Sequence, residues 1–265
     1  MRIAWKYLVQ YLKVRLAYRW DFLAELAGEL VGAAAGMAFL VGVFAGAGVP
    51  SIAGWPRDTV VFIYGFSMVS YGIFEMAAQS FYRFSEEYLI EGRLDQILLK
   101  PASPLLQVLM IGFNPMGATE ILLGIGTAAW ASGRLGLAWD PLMLLWASLL
   151  ALCGGVILVA VFLAITSLSF WFEDRFGVQP PVYNCIVFGR YPIETFHPAV
   201  RFLLRCVIPF AFIGYYPAGL FVEGGRWSEG TRALAMATPL VALACLAAAG
   251  ALWRAGLKRY HSTGS

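Results

Sequence analysis

Four carboxylates stand where a carboxylate is costly. Glu25 and Glu29 fall in the first long apolar run of the chain, Glu75 in the second and Glu120 in the third. At bilayer depth each such group costs about 2.5–3.5 kcal/mol on insertion scales, so it faces protein or a water-filled path rather than lipid. Two readings stay open. In one, they form structural ion pairs at the interface, Glu25 or Glu29 with Arg19 and Glu75 with Arg83. In the other, Glu29, Glu75 and Glu120 border a shared negative path that accepts cationic or zwitterionic amphiphiles. Glu120 stands out in that reading because no basic residue is near it in sequence, and Glu120→Gln is then expected to reduce passage of a cation while leaving assembly intact.

Nucleophilic, metal and nucleotide chemistry have less to stand on. Cys153, Cys185, Cys206 and Cys245 are scattered through apolar segments without a C-x-x-C pair and read as small buried hydrophobes. The two histidines, His197 and His261, are far apart, and Ser67, Ser70, Ser80, Ser167 and Ser169 have no histidine at a useful spacing. No G-x-x-x-x-G-K-[ST] loop is present to cradle phosphates. No catalytic, cofactor or metal residue is therefore assigned.

A second group of chemistry-bearing residues lies between apolar runs, at residues 86–101. Leu89, Leu94, Ile97 and Leu98 can share one face of a short helix, while Glu86, Glu87, Glu91, Arg93 and Asp95 supply charge. Pro101 and Pro104 stop the helix. Such a piece lies in the interface or in water, where it serves as a handle for a soluble partner; the plainer alternative is a helix resting in the lipid headgroups. If it is a handle, Asp95→Lys and Leu94→Asp are expected to leave the protein folded and inserted but cut off from that partner.

The elements that must hold these residues are membrane helices. Hydrophobic residues make up 60% of the 265 and charged residues 13%, against about 45–50% apolar, glycine included, in soluble domains. Stretches near the length of a span, about 20 residues, run over 23–44, 60–80, 108–130, 142–170, 203–222 and 233–253. A single membrane domain over 1–265 follows, and no cleavable signal peptide is expected. Arg2, Lys6, Lys13, Arg15 and Arg19 before the first span, with Arg254, Lys258 and Arg259 after the last, put both termini in the cytoplasm. Trp20, Trp55, Trp139, Trp171, Trp227 and Trp253 fall near span ends, as headgroup-level rings do, whereas Trp146 does not.

Residues 1–20 carry Ile3, Tyr7, Tyr11, Val14 and Tyr18 on one helical stripe beside Arg2, Lys6, Gln10 and Lys13, which predicts an interfacial helix. Gly28, Gly32 and Gly36 sit one turn apart in the first span and offer a face for close helix packing. Residues 172–229 admit two courses. Either 176–189 is an irregular buried span followed by re-entrant half-helices over 192–222, or Arg190, Arg201 and Arg205 stay cytoplasmic and 203–222 spans. The positive-inside count favours the second, and the doubled prolines favour the first.

The run Gly92-Arg93-Leu94-Asp95-Gln96-Ile97-Leu98-Leu99-Lys100-Pro101-Ala102-Ser103-Pro104 resembles the permeases of bacterial type-2 ATP-binding-cassette (ABC) exporters. So do Arg190-Tyr191-Pro192-Ile193, Val207-Ile208-Pro209-Phe210-Ala211-Phe212 with Tyr216-Pro217-Ala218, and the ending Leu257-Lys258-Arg259-Tyr260. More narrowly, they are similar to a branch with two different permeases and one ATPase. The resemblance runs along the whole chain, with 92–101 its most specific part. It implies an all-α membrane protein of about six spans, an N-terminal interfacial helix, a cytoplasmic coupling segment over 82–106 and re-entrant outer helices before the last span. On that footing the first course for 172–229 is adopted. The coupling residues it implies are Glu91, Gly92, Arg93, Leu94, Asp95, Leu98, Lys100 and Pro101.

Further expectations follow from the same resemblance. The chain carries no cofactor, and ATP and Mg sit on a partner subunit. The partners are an ABC ATPase dimer, a second permease that is a paralogue or an identical copy, and membrane lipid, with no nucleic acid. The location is the bacterial cytoplasmic (inner) membrane. An exporter permease accounts for the charged handle, the missing nucleotide site and the glycine-rich packing. A passive channel or scaffold would need no handle, and an intramembrane enzyme would need a nucleophile, base or metal cluster that the sequence does not offer.

Overall fold

The computed structural model of the chain describes residues 19–46, 50–172, 179–222 and 229–261. The interfacial helix expected over 1–20 falls, up to Tyr18, outside the described residues. The described elements are helical apart from a two-stranded ribbon, Ser51–Ile52 against Trp55–Pro56, turned by Ala53 and Gly54 at positive φ. Among the described residues, four helices are long and apolar enough to cross a bilayer, and a fifth span results if one bent helix pair is counted.

The helix Arg57–Ala78 (α2) is the axis of the molecule. Leading from α1 (Arg19–Gly46) through the ribbon, it is buried along almost its whole length. Glycines explain how its neighbours come so close. A Cβ on Gly72 would stand 2.6 Å from the Gly117 carbonyl oxygen, and one on Gly65 would stand 2.6 Å from the Ala128 nitrogen. Backbone thus packs on backbone between α2 and the helix Gly117–Leu135, a small-residue interface typical of membrane helices. On another side Gly154 and Gly155 receive Ser70 and Ile73.

The apolar run over 108–130 is not one helix. It is divided into Pro104–Ile111 (α4) and Gly117–Leu135 (α5), with the short helix α3 (Arg93–Leu98) ahead of them. Pro115 lacks an amide proton and Gly112 is drawn against Ser80, so the chain turns between the two helices. Asn114 secures the turn: its amide donates to the Met76 carbonyl at 3.0 Å, and its side chain accepts from the Met116 amide at 3.1 Å. Helix α6 (Pro141–Leu168) starts sharply because Asp140 accepts from the Met143 amide at 2.7 Å with proline at the first helical position.

Between α6 and the last span lies the irregular segment. It comprises α7 (Gln179–Cys185), a 3-10 turn Ile186–Arg190, α8 (Pro198–Phe202) running on to Val207, a turn Phe210–Phe212 and α9 (Tyr215–Ala218). The two halves, Pro198–Val207 and Phe210–Ala218, meet at 75°. A straight span over 203–222 does not form, because Pro209 and Gly214 interrupt it. Residues 209–219 are buried throughout, which is the condition under which broken backbone persists at membrane depth. Ser70 anchors the break, donating to the Ile213 and Ala151 carbonyls at 2.9 and 3.1 Å. Helix α10 (Glu229–Met236) then leads into α11 (Thr238–Arg259), so the last span begins a few residues later than hydropathy alone suggests.

Candidate functional site

Two places gather the chemistry-bearing residues, one at an end of the helix bundle and one within it. At the end, α2 passes through a 3-10 turn, Gln79–Arg83, and a π-helical turn, Ser85–Ile90, into α3. Gly92, at φ 73°, makes the reversal that a side chain would strain. Ion pairs fasten the outer face: Arg83 to Glu86 and Glu87 at 3.6 and 3.1 Å, and Arg93 to Glu87 and Glu91 at 3.1 and 3.2 Å. Arg83 is thereby engaged with these partners rather than with Glu75.

Helix α3 presents two unlike faces. Leu94 and Ile97 are buried in the core, while Glu91, Arg93, Leu98, Lys100 and Pro101 are exposed. Leu99, which the helical pattern did not single out, is 86% exposed. Asp95 points back into the chain and accepts from the Tyr260 hydroxyl at 3.0 Å. Burial, and next the Asp95 carboxylate, push the Tyr260 phenol up to about 12. Burial likewise raises the Tyr88 phenol beneath the segment. Gln107 closes the turn after α3 by donating to the Ile97 and Ala102 carbonyls at 3.1 and 3.0 Å. Leu94 and Asp95 are therefore holders of the segment, not its contact surface. The expectation that Leu94→Asp leaves the fold untouched is corrected: a charge in that packed position breaks the attachment itself.

The inner group is built on three helices and the irregular segment. Glu29 of α1 and Glu120 of α5 both act electrostatically on Glu75 of α2, as does Arg190. The three carboxylates that sequence placed in separate spans thus converge. Arg190 also acts on Glu120, so the carboxylate without a basic neighbour in sequence has one in space. Tyr71 hydrogen-bonds Glu75 and meets the Tyr183 hydroxyl. At the start of α1, the Arg19 guanidinium lies 5.9 Å from the centre of the Trp20 ring. The sequence reading named Arg190 only for topology and resemblance, not as a neighbour of the carboxylates, and did not single out Tyr71 or Tyr183. A tyrosine one turn before an intramembrane glutamate was the available signal for Tyr71; nothing in the sequence ties Arg190 to α2.

Gly36 packs against the Tyr64 ring, whereas among the described residues nothing lies within 4 Å of a Cβ built on Gly28 or Gly32. The face read as a packing surface is thus closed at one glycine and open at two.

Neither the curated proteins nor the solved structures contain a match to the chain. The family model described as ABC-2 family transporter protein matches residues 31–264. That stretch takes in the convergent carboxylates of α2 and α5, the short helix α3 and the broken segment before α11. The chain belongs to the ABC-2 transporter family and is the membrane-spanning permease component of an ABC transporter.

Proposed function

We propose that the chain is the permease of an ATP-driven exporter, working with a second permease and a dimeric ATPase that holds ATP and Mg. The reading extends to a branch with two unlike permeases, a bacterial cytoplasmic membrane and both termini in the cytoplasm. Family membership supplies the association with an ABC ATPase. The observation that carries the coupling site is the two-faced helix α3, locked to the protein by Leu94, Ile97 and the Asp95–Tyr260 bond, with Leu98 and Leu99 left bare. A bare apolar pair on an ion-paired, rigid mount suits a socket on a moving partner. The contact set is Glu91, Arg93, Leu98, Leu99, Lys100 and Pro101, with Gly92 shaping the entry. Glu29, Glu75 and Glu120 border the path for a cationic or zwitterionic amphiphile, and membrane lipid covers the outer helices.

The test is crosslinking in the assembled transporter. Cysteines at Leu98 and Leu99 are expected to capture the ATPase, and Leu99→Asp is expected to abolish transport while the permease stays folded in the membrane. Reaction with lipid probes only, together with full transport by Leu99→Asp, would reject the coupling site. Export itself is read in inside-out vesicles, where ATP should drive accumulation of a cationic amphiphile and Glu120→Gln should lower it.

A further inference from the structure

Residues distant in sequence build a cation cage where the irregular segment meets α2 and α5. Arg190 ends its 3-10 turn with the guanidinium carbon 4.7 Å from the centre of the Tyr71 ring and 5.7 Å from that of Tyr64. Tyr183 closes another side, its ring set at 65° to that of Tyr71 with centroids 6.2 Å apart. Glu75 stands one turn beyond Tyr71, and Glu120 of α5 acts electrostatically on the same guanidinium. Aromatic faces backed by carboxylates recognise guanidinium and quaternary ammonium groups by ring quadrupole and charge together.

Two features set this arrangement apart from a structural ion pair. Arg190 acts electrostatically on both Glu75 and Glu120, and Glu29 acts on Glu75 as well, so the group holds more carboxyl groups than guanidinium groups. Moreover, Arg190 Nε and Glu120 Oε2 are both buried and neither has a hydrogen-bond partner among the described residues. A site shaped for this arginine would join fork to carboxylate with both nitrogens engaged. The occupant fits incompletely. It also sits on a short turn followed by extended backbone at Tyr191, φ −123° and ψ 159°, rather than inside a long helix, so it can leave without unwinding a span.

We propose that this cage binds the guanidinium or ammonium head of an amphiphile and that Arg190 is a tethered stand-in, filling the cage until that head displaces it. The proposal rests on the reading of Glu75 and Glu120 as bordering the transport path, and it names the chemical group recognised there. Glu120 and Glu75 hold the charge, Tyr64 and Tyr71 supply the faces, and Arg190 sets the threshold an incoming cation must exceed.

The experiment uses the full-length chain in nanodiscs without any ATPase, so failure of coupling or of export direction leaves its outcome untouched. Binding of octylguanidinium is measured by calorimetry, with neutral octylurea as the control for partition into lipid. Arg190→Ala is expected to bind octylguanidinium at least tenfold more tightly than the unaltered chain, with octylurea unchanged. Adding Glu75→Gln and Glu120→Gln should remove the gain. A folded Arg190→Ala protein with no gain, or a gain that survives loss of both carboxylates, overturns the proposal. Should Arg190→Ala fail to fold, Glu120→Gln in the otherwise unaltered chain decides: octylguanidinium binding should weaken about tenfold, and unchanged binding rejects the cage.

Discussion

The bond between Tyr260 and Asp95 joins residues 165 positions apart in the sequence, and its chemistry gives it a defined pH window. Burial and the neighbouring carboxylate raise the Tyr260 phenol from its ordinary value of 10.0 to about 12. The neutral hydroxyl is the donor, so the folded state favours the protonated form, and the contribution is complete below pH 10 and lost as pH rises toward 12. Tyr260→Phe should therefore lower thermal stability by an amount equivalent to about 1.5 kcal/mol, the low end for a hydrogen bond to a charged group because the pair is only partly buried. Melting curves should show that deficit constant from pH 6 to 9 and vanishing between 10 and 12. Leu94, fully buried on the same short helix, behaves differently. Leu94→Ala should cost about 2–5 kcal/mol, and Leu94→Asp should release the segment to proteolysis, whereas Leu99→Asp should leave protease resistance unchanged.

At the scale of elements, the close pair formed by α2 and α5 is the least forgiving contact in the described chain. A Cβ at Gly117 would meet the Gly72 carbonyl oxygen at 2.5 Å and the Met76 amide nitrogen at 2.7 Å, and backbone cannot step aside as a side chain can. Gly117→Ala is expected to cost about 1–3 kcal/mol through overpacking. Gly28→Ala and Gly32→Ala meet no atom of the described residues within 4 Å and should leave the melting of the separate chain unchanged. Scanning fluorimetry in detergent reads both. The same elements explain what sequence could convey. Periodicity and composition located α1, α2, α6 and α11 because a span must be continuously apolar. They merged α4 with α5, since hydropathy does not register the Gly112–Asn114–Pro115 turn that a carbonyl of α2 secures. The charged pattern over 86–101 disclosed a short helix but not which of its leucines faces inward; that depends on where α11 delivers Tyr260. The convergence of Glu29, Glu75 and Glu120 could be anticipated from their similar depth, whereas Arg190 arrives by a fold in the irregular segment that no local pattern encodes.

On the scale of the whole molecule, the helices are unequally covered. The most apolar stretch of α2 is 72% buried within the chain, that of α6 61%, and that of α1 only 6%. Trp20, Leu23, Leu30, Val31 and Phe39 of α1 are exposed, and the uncovered glycines Gly28 and Gly32 share that helix. Lipid solvates the leucines as well as protein does, but it gains nothing from exposed glycine, whose value is to let another backbone approach. In the proposed assembly, with α3 as the coupling helix, α1 is the surface on which a second permease would close the path. The paired permeases would then receive the ATPase strokes through α3. Because Leu94, Ile97 and Tyr260 fix α3 to the core, those strokes would move the neighbouring spans rather than bend the segment. The sequence contains no phosphate loop, so the purified chain is expected to hydrolyse no ATP. Hydrolysis should appear when the ATPase and the second permease are added, and transport only when all are present. Cysteines at Gly28 and Gly32 should crosslink one permease to the other in that assembly and fail to do so after Gly28→Leu with Gly32→Leu in the same chain. Robust ATP hydrolysis by the isolated polypeptide would refute the division of labour, and crosslinks that form only to lipid would refute the assigned face.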